Sequence, residues 1–216
     1  MFMHDIINRL LLIEKEIQTK NKTPSIIAVS KTFPMKDILP LINHGHTHFG
    51  ENKVQEALEK WADIKKDFKK IKLHMIGKLQ TNKVKFAVEI FDYIHSLDNF
   101  KLAKKISLEQ KKLNKKINIF IQVNIGNENQ KSGILPANIN EFLLQCINQL
   151  DLNIVGLMCL PPNNINPSDY FKEMNQLLSK TNLKELSMGM SQDYLLATDH
   201  NSTFLRIGSK IFGERI

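Results

Sequence analysis

Arginine is nearly absent. Of 30 basic side chains only three are Arg, at Arg9, Arg206 and Arg215, and the rest are Lys. The planar guanidinium fork that suits phosphate and base-edge recognition is therefore scarce. Aromatic residues, which would stack on bases, make up only 7% of the chain. The net charge of +8 is read as solvated lysine surface rather than as a nucleic-acid footprint, so no nucleic-acid partner is expected. The Lys-rich runs at 65–72 and 101–116 fall on helical patterns and read as solvated faces. Cysteine is scarce too. Cys146 and Cys159 have no C-x-x-C spacing, which argues against a zinc site or a disulfide framework. No apolar run approaches the roughly 20 residues that a membrane span needs. The start, Met1-Phe2-Met3-His4-Asp5, lacks the basic region of a signal peptide. A cytoplasmic location with no membrane partner is expected. No P-loop, Rossmann glycine fingerprint or Ser-His-Asp order occurs.

What is present is a globular balance: 216 residues, 42% hydrophobic and 24% charged, expected to form one domain over 1–216. Short β-branched apolar runs alternate with amphipathic stretches. Strands are expected at 25–30, 47–49, 72–75, 93–95, 118–124, 153–158, 185–187 and 203–207. Helices are expected at 2–20, 35–43, 52–68, 80–90, 99–114, 138–149, 168–181 and 191–199, with a short turn after Gly208. Asp98 and Ser191 are the expected N-caps. The Pro/Asn-rich stretch 160–167 reads as one loop after the sixth strand. Strands alternating with helices signal parallel βαβ units. Eight of them fit a closed (β/α)8 barrel, and an open doubly wound sheet is the alternative.

In either architecture ligands bind at the carboxyl ends of the strands, so the residues that end each strand carry the chemistry. The first strand ends Ala28-Val29-Ser30-Lys31-Thr32. Period-two alternation puts Ile27, Val29 and Lys31 on one face. Desolvation there would push the lysine towards a nucleophilic amine; the alternative is a lysine that snorkels to water. The eighth strand ends Arg206-Ile207-Gly208-Ser209. An arginine among apolar neighbours must have an acceptor, and a structural ion pair is one way to supply it. Gly208-Ser209 offers backbone N–H groups and a hydroxyl to an anion, beside Ser187-Met188-Gly189-Met190-Ser191 from the seventh strand. His44, His46 and His48 alternate and could share a face, but no carboxylate or thiolate completes a metal set, and no metal is expected. Gly77, Gln80, Gln122, Asn124 and Lys131 lie near other strand ends.

The segment Ala28–Thr32 resembles the lysine segment of the YggS/PROSC-type pyridoxal-phosphate homeostasis proteins. The similarity continues through His48-Phe49-Gly50-Glu51-Asn52-Lys53-Val54-Gln55-Glu56, His74-Met75-Ile76-Gly77-Lys78-Leu79-Gln80-Thr81-Asn82-Lys83, Gln122-Val123-Asn124 and Lys131-Ser132-Gly133. It extends to Gly156-Leu157-Met158, Leu186-Ser187-Met188-Gly189-Met190-Ser191 and Arg206-Ile207-Gly208-Ser209 with Phe212-Gly213. The motifs run in order along almost the whole chain. The resemblance implies a single-domain barrel like the amino-terminal domain of alanine racemase, with pyridoxal 5'-phosphate as cofactor. It implies that Lys31 forms the Schiff base and that Arg206 faces the pyridine nitrogen. Ser187, Gly208 and Ser209 would surround the phosphate, and Asn52 would lie beside the cofactor. Ser209 stands where threonine is common and keeps the hydroxyl. Lys78 stands where proline or histidine is usual and adds a charge.

An arginine opposite the ring nitrogen can only donate, so it favours an unprotonated pyridine and blunts the electron sink that carbanion chemistry needs. The resemblance therefore implies a non-enzymatic carrier that contributes to intracellular cofactor homeostasis, with apo-enzymes that use the cofactor as recipients, acting as a monomer. A weak racemase-like enzyme is the alternative. Racemisation needs a base on each face of the substrate carbon. The second-face tyrosine of alanine racemase comes with an extra β domain for which 216 residues leave no room, and Tyr93, Tyr170 and Tyr194 do not match its position.

Overall fold

The computed structural model describes residues 3–18, 23–128, 130–162 and 166–214. Residues 2, 19 and 20 of the first expected helix, residues 163–165 of the Pro/Asn loop, and Arg215 lie outside the described residues.

Eight parallel strands form one closed barrel in sequence order: β1 (Ser25–Val29), β2 (His48–Glu51), β3 (Lys72–Met75), β4 (Tyr93–Leu97), β5 (Asn118–Val123), β6 (Ile154–Cys159), β7 (Glu185–Met190) and β8 (Phe204–Ile207). Closure is made by β1 against β8, with Ile27 opposite Arg206 and Ala28 opposite Ile207. The open sheet is thereby excluded. The helices are α1 (Met3–Gln18), α2 (Met35–Asn43), α3 (Val54–Trp61), α4 (Ile64–Asp67), α5 (Val84–Ile90), α6 (Phe100–Leu113), α7 (Ile139–Leu144), α8 (Ser168–Ser179), α9 (Tyr194–Asp199) and α10 (Ser209–Phe212). None of the described helices is long and apolar enough to cross a membrane.

Local differences from the sequence reading have local causes. The stretch 52–68 breaks into α3 and α4. The 138–149 stretch widens into a π-helical turn over Gln145–Gln149, which carries Cys146 inward. Asn99, not Asp98, caps α6: its side-chain oxygen accepts from the Leu102 N–H at 2.8 Å. Ser191 does not cap α9, which starts after Asp193. Its hydroxyl instead accepts from the Gly208 and Lys210 N–H groups at 3.3 and 3.4 Å.

Alternation along each strand sorts side chains into two cores. Outward positions such as Ile26, Ala28, Phe49, Leu73, Leu205 and Ile207 meet the helices. They pack there with Leu10, Ile13 and Ile17 of α1 and with Trp61 of α3. Inward positions Ile27, Phe120, Met158 and Phe204 form a small separate cluster. A polar chain crosses the rest of the barrel interior, which nothing in the sequence pattern announced. His48 Nδ1 lies 2.9 Å from His74 Nε2, His74 Nδ1 lies 2.9 Å from His95 Nε2, and His95 Nδ1 lies 2.9 Å from Ser187 Oγ. Aromatic faces line this chain: Tyr93 stacks on His74 and Phe120 on His95, each with ring centroids 4.3 Å apart. The expected sharing of one face by His44, His46 and His48 is not realised. His44 is exposed, His46 Nε2 bonds the His48 carbonyl at 2.9 Å, and only His48 joins the interior chain.

Burial holds these histidines neutral. His74 and His95 are pushed well below the ordinary value of 6.5, and His46 down to about 4, each chiefly by loss of solvent. A depressed folded-state value means that the unfolded chain binds the proton first, so this stability is complete above pH 6.5 and drains away as pH falls below it. Each fully buried histidine should contribute a slope of about 1.4 kcal/mol per pH unit in that window. Urea unfolding followed from neutral pH down to about 5, above the carboxylate range, should show this decline; a flat profile would contradict the neutral core.

Candidate functional site at the carboxyl end of the barrel

Lys31 follows β1 in a tight turn. Thr32, its neighbour, has φ = +69°, a left-handed backbone that is strained for a β-branched residue. The turn is held from below by α3. Lys60 Nζ donates to the Ser30 carbonyl at 2.8 Å and the Phe33 carbonyl at 3.2 Å, and Glu56 Oε1 accepts from the Thr32 N–H at 2.6 Å. Lys60 also pairs with Glu51 at 2.7 Å, whose Oε1 accepts from the Ser30 hydroxyl at 2.8 Å and from Trp61 Nε1–H at 3.0 Å. Burial pushes the Glu51 carboxyl up, against the bonds from Lys60, Trp61 and Ser30 that pull it down. Lys60, Glu51 and Glu56 are thus the supports of the lysine turn. Sequence reading missed Lys60, which is one more lysine on a polar helix face.

Arg206 points into the barrel and is 5% exposed. Among the described residues no carboxylate forms an ion pair with it: Nη1 donates to the Ser187 carbonyl and hydroxyl, both at 2.7 Å, and Nη2 donates to the Cys159 carbonyl at 2.8 Å. All three acceptors are neutral. Burial lowers the guanidinium from its ordinary value, yet it remains a cation, since arginine does not shed its proton in proteins. A guanidinium carries five N–H groups, and these three bonds leave the others available to a further acceptor.

The other expected residues divide between those at the carboxyl ends of strands and those tied into the loop after β5. Ser187 is fully buried and bonded to both Arg206 and His95. The hydroxyl that reaches the Gly208 loop is that of Ser191. Gly208 packs on Val29, so the β8 loop adjoins the Lys31 turn: a Cβ at Gly208 would lie 3.4 Å from Val29 Cβ. Asn52 follows β2, and its Oδ1 is buried with no protein partner. Gly77 presses on it, since a Cβ there would fall 2.4 Å from the Asn52 carbonyl oxygen. Gln80 and Lys78 are exposed. Gln122 donates to the Ser132 carbonyl at 2.9 Å, and Asn124 bonds both the N–H and the carbonyl of Glu128. Lys131 pairs with Glu128 at 2.6 Å and reaches the Pro161 carbonyl at 3.3 Å. Gln122, Asn124 and Lys131 therefore shape the loop after β5. Lys31, Asn52, Ser191, Arg206, Gly208 and Ser209 all sit at or just past the carboxyl ends of β1, β2, β7 and β8.

Removing Lys60 should show how much the lysine turn depends on it. Lys60→Met leaves Glu51, whose side chain is 0% exposed, without its cation, and urea unfolding should report a loss of about 3 kcal/mol. The double change Lys60→Met with Glu51→Gln should recover much of it. Equal loss in both variants would mean that the buried charge is not what Lys60 answers.

Residues 13–216 match the family model described as "Alanine racemase, N-terminal domain". The pyridoxal phosphate homeostasis protein of Aquifex aeolicus is 38% identical over 199 residues, covering 88% of this chain and 86% of the relative. That of Haemophilus influenzae is 36% identical over 229 residues, covering 98% and 96%. Among solved structures, PipY of Synechococcus elongatus with pyridoxal phosphate (PLP) bound superimposes with a TM-score of 0.85 at 33% identity, covering 96% of this chain and all of that one. The alanine racemase of Clostridium difficile shares the fold alone, with a TM-score of 0.74 at 14% identity; this chain covers 57% of it. The chain belongs to the alanine racemase N-terminal-domain family, among the pyridoxal phosphate homeostasis proteins.

Proposed function

We propose that this protein binds pyridoxal 5'-phosphate at the carboxyl end of the barrel, attached covalently to Lys31, and that it stores and delivers the cofactor rather than catalysing amino-acid chemistry. The names of its relatives and the PLP-bound neighbour support the ligand. The residues on hand fit it. Asn52 Oδ1 is a buried acceptor without a partner. The Gly208 and Lys210 N–H groups, which here donate to Ser191 Oγ, together with the hydroxyl residues Ser191 and Ser209, supply the donors that a phosphate needs. Arg206 is a buried donor with N–H groups to spare.

Bound pyridoxal phosphate supplies an aldehyde that condenses with an amine, with loss of water, and a ring that withdraws electrons most strongly when its nitrogen is protonated. Lys31 offers the amine, on a turn fixed by Lys60 and Glu56. Ser191, Gly208 and Ser209 would hold the phosphate, while Ser187 is bonded to Arg206. Arg206 would donate to the ring nitrogen and disfavour a proton there.

The single observation that carries the non-enzymatic reading is the setting of Arg206: a permanent donor, buried and, among the described residues, hydrogen-bonded only to neutral groups, with Asp193 acting on it through its charge and not through a bond. The tyrosines agree with it. Tyr93 is at the amino end of β4, stacked on His74, and Tyr194 is bonded to Glu16 and to Lys210 Nζ. Tyr170 lies on α8, packed against the outer core. None is placed as a second base for racemisation. The cofactor's recipients would be apo-enzymes that use it.

Mixed with pyridoxal phosphate, the protein should develop an absorbance band distinct from that of the free cofactor, and Lys31→Ala should abolish it. A band unchanged in Lys31→Ala would place the attachment elsewhere. Incubation of the loaded protein with L-alanine in D2O should give neither racemisation nor appreciable α-deuterium exchange. Robust exchange would establish the racemase reading instead.

A further inference from the structure

The polar chain through the barrel interior has a direction, and the direction follows from its end. Arg206 can only donate, and it donates to Ser187 Oγ at 2.7 Å. The Ser187 hydroxyl hydrogen then has His95 Nδ1, at 2.9 Å, as its acceptor. With Nδ1 accepting, the neutral His95 ring carries its proton on Nε2 and donates to His74 Nδ1. His74 in turn carries its proton on Nε2 and donates to His48 Nδ1, which leaves His48 with its N–H on Nε2. The opposite order would leave the Ser187 hydrogen without an acceptor in this chain. It would also turn three N–H dipoles towards a buried guanidinium. Every lone pair in the first order faces the cation, which is the favourable arrangement in a low-dielectric core.

The far end is open. His48 is half-buried and lines a cleft of about 410 Å³ at the amino-terminal mouth of the barrel, with His44, His46, Glu14 and Ser25. The charged and titratable groups around the chain are identifiable on every element that packs against it. Burial is the main cause disfavouring a proton on His48, Lys72 of β3 adds to it, and Asp92, just before β4, opposes it. Lys65 of α4 pairs with Asp92 at 2.6 Å. Lys115, Glu185 of β7 and Tyr93 of β4 complete the set.

We propose that His95, acting through Ser187, is a positioning residue for Arg206, and that His48 and His74 connect this positioning to the protonation state of the opposite end of the barrel. Protonated His48 carries hydrogens on both ring nitrogens, so its Nδ1–H meets the His74 Nε2–H donor to donor. The bond returns only if His74 and His95 each keep one proton and move it to Nδ1. One proton is gained in all, at His48. His95 Nδ1–H then points at Ser187 Oγ, the hydroxyl hydrogen turns away, and the oxygen that fixes Arg206 accepts two N–H bonds. Arg206 is held less firmly, and any ligand that depends on its spare N–H groups is bound less tightly in acid.

The inference rests on the proposed function only where pyridoxal phosphate is the readout, and its first test needs no cofactor. In the unloaded protein labelled with 15N-histidine, NMR at about pH 7.5 should show His74 and His95 protonated on Nε2, with the ring resonances shifting together as His48 titrates. His95 protonated on Nδ1 at that pH, or His48 titrating without a change in His74 and His95, would overturn it. The second test is pyridoxal phosphate affinity. His95→Asn puts a carbonyl oxygen near the place of Nδ1 and cuts the link to His74. It should bind nearly as well as wild type at about pH 7.5, whereas His95→Phe, which keeps the stacking on Phe120, should bind about tenfold more weakly. The acid-dependent loss that wild type shows beyond that of His48→Gln and His95→Asn is the part that the chain transmits. Superimposable profiles for all three would sink the coupling. If wild type bound no pyridoxal phosphate, the functional reading would fall and the NMR result would decide the relay by itself.

Discussion

The burial of one guanidinium organises this barrel. A cation at 5% exposure on β8 must be surrounded by acceptors, because it cannot discharge. Here the acceptors are two backbone carbonyls and a serine hydroxyl, all neutral. The serine needs an outlet for its own hydrogen, and a row of three histidines provides it. The aromatic rings stacked on His74 and His95 shield that row from water, and burial, with the Arg206 charge adding to it at His95, keeps the two rings neutral. A hydrophobic layer there would pack more cheaply, so the polar chain is the mark of a function for the donor at its end.

The architecture was largely written in the sequence, because each strand is a short run of β-branched and apolar residues between polar helices. All eight expected strands form, with ends displaced by no more than about three residues, within the ordinary uncertainty of boundaries. Lys31 and Arg206 were visible for the same reason: a charged residue ending an apolar run stands out against it. What was not legible depends on register between strands. His74 and His95 sit in Lys72-Leu73-His74-Met75 and Tyr93-Ile94-His95-Ser96, where alternation says only that they point inward. That they meet each other, and then Ser187, 92 residues further on from His95, is a property of barrel closure. The alternation of His44, His46 and His48 is suggestive in spacing, but only His48 lies within a strand. The choice between Asp98 and Asn99 as a cap turned on one residue of phase, which a helical pattern does not resolve.

The lysine end of the site rests on a different device. The left-handed Thr32 beside Lys31 would relax without its supports. Lys60 binds the Ser30 and Phe33 carbonyls on either side of it, Glu56 accepts from the Thr32 N–H itself, and Glu51 accepts from the Ser30 hydroxyl. A strained turn held by these charges fixes the backbone from which Lys31 projects. On the proposed reading the two ends would serve to hold a ligand, with Lys31 as the nucleophile on its turn, Ser191 and the Gly208 loop for the phosphate, and Arg206 as a permanent donor.

The central claim is that Lys31 is the attachment point for pyridoxal phosphate in this pocket. Borohydride reduction of the loaded protein, followed by peptide mass mapping, tests it most directly. The account predicts one reduced adduct, on the peptide that contains Lys31. An adduct on another lysine with Lys31 unmodified, or modification scattered over the lysine-rich surface, would contradict it.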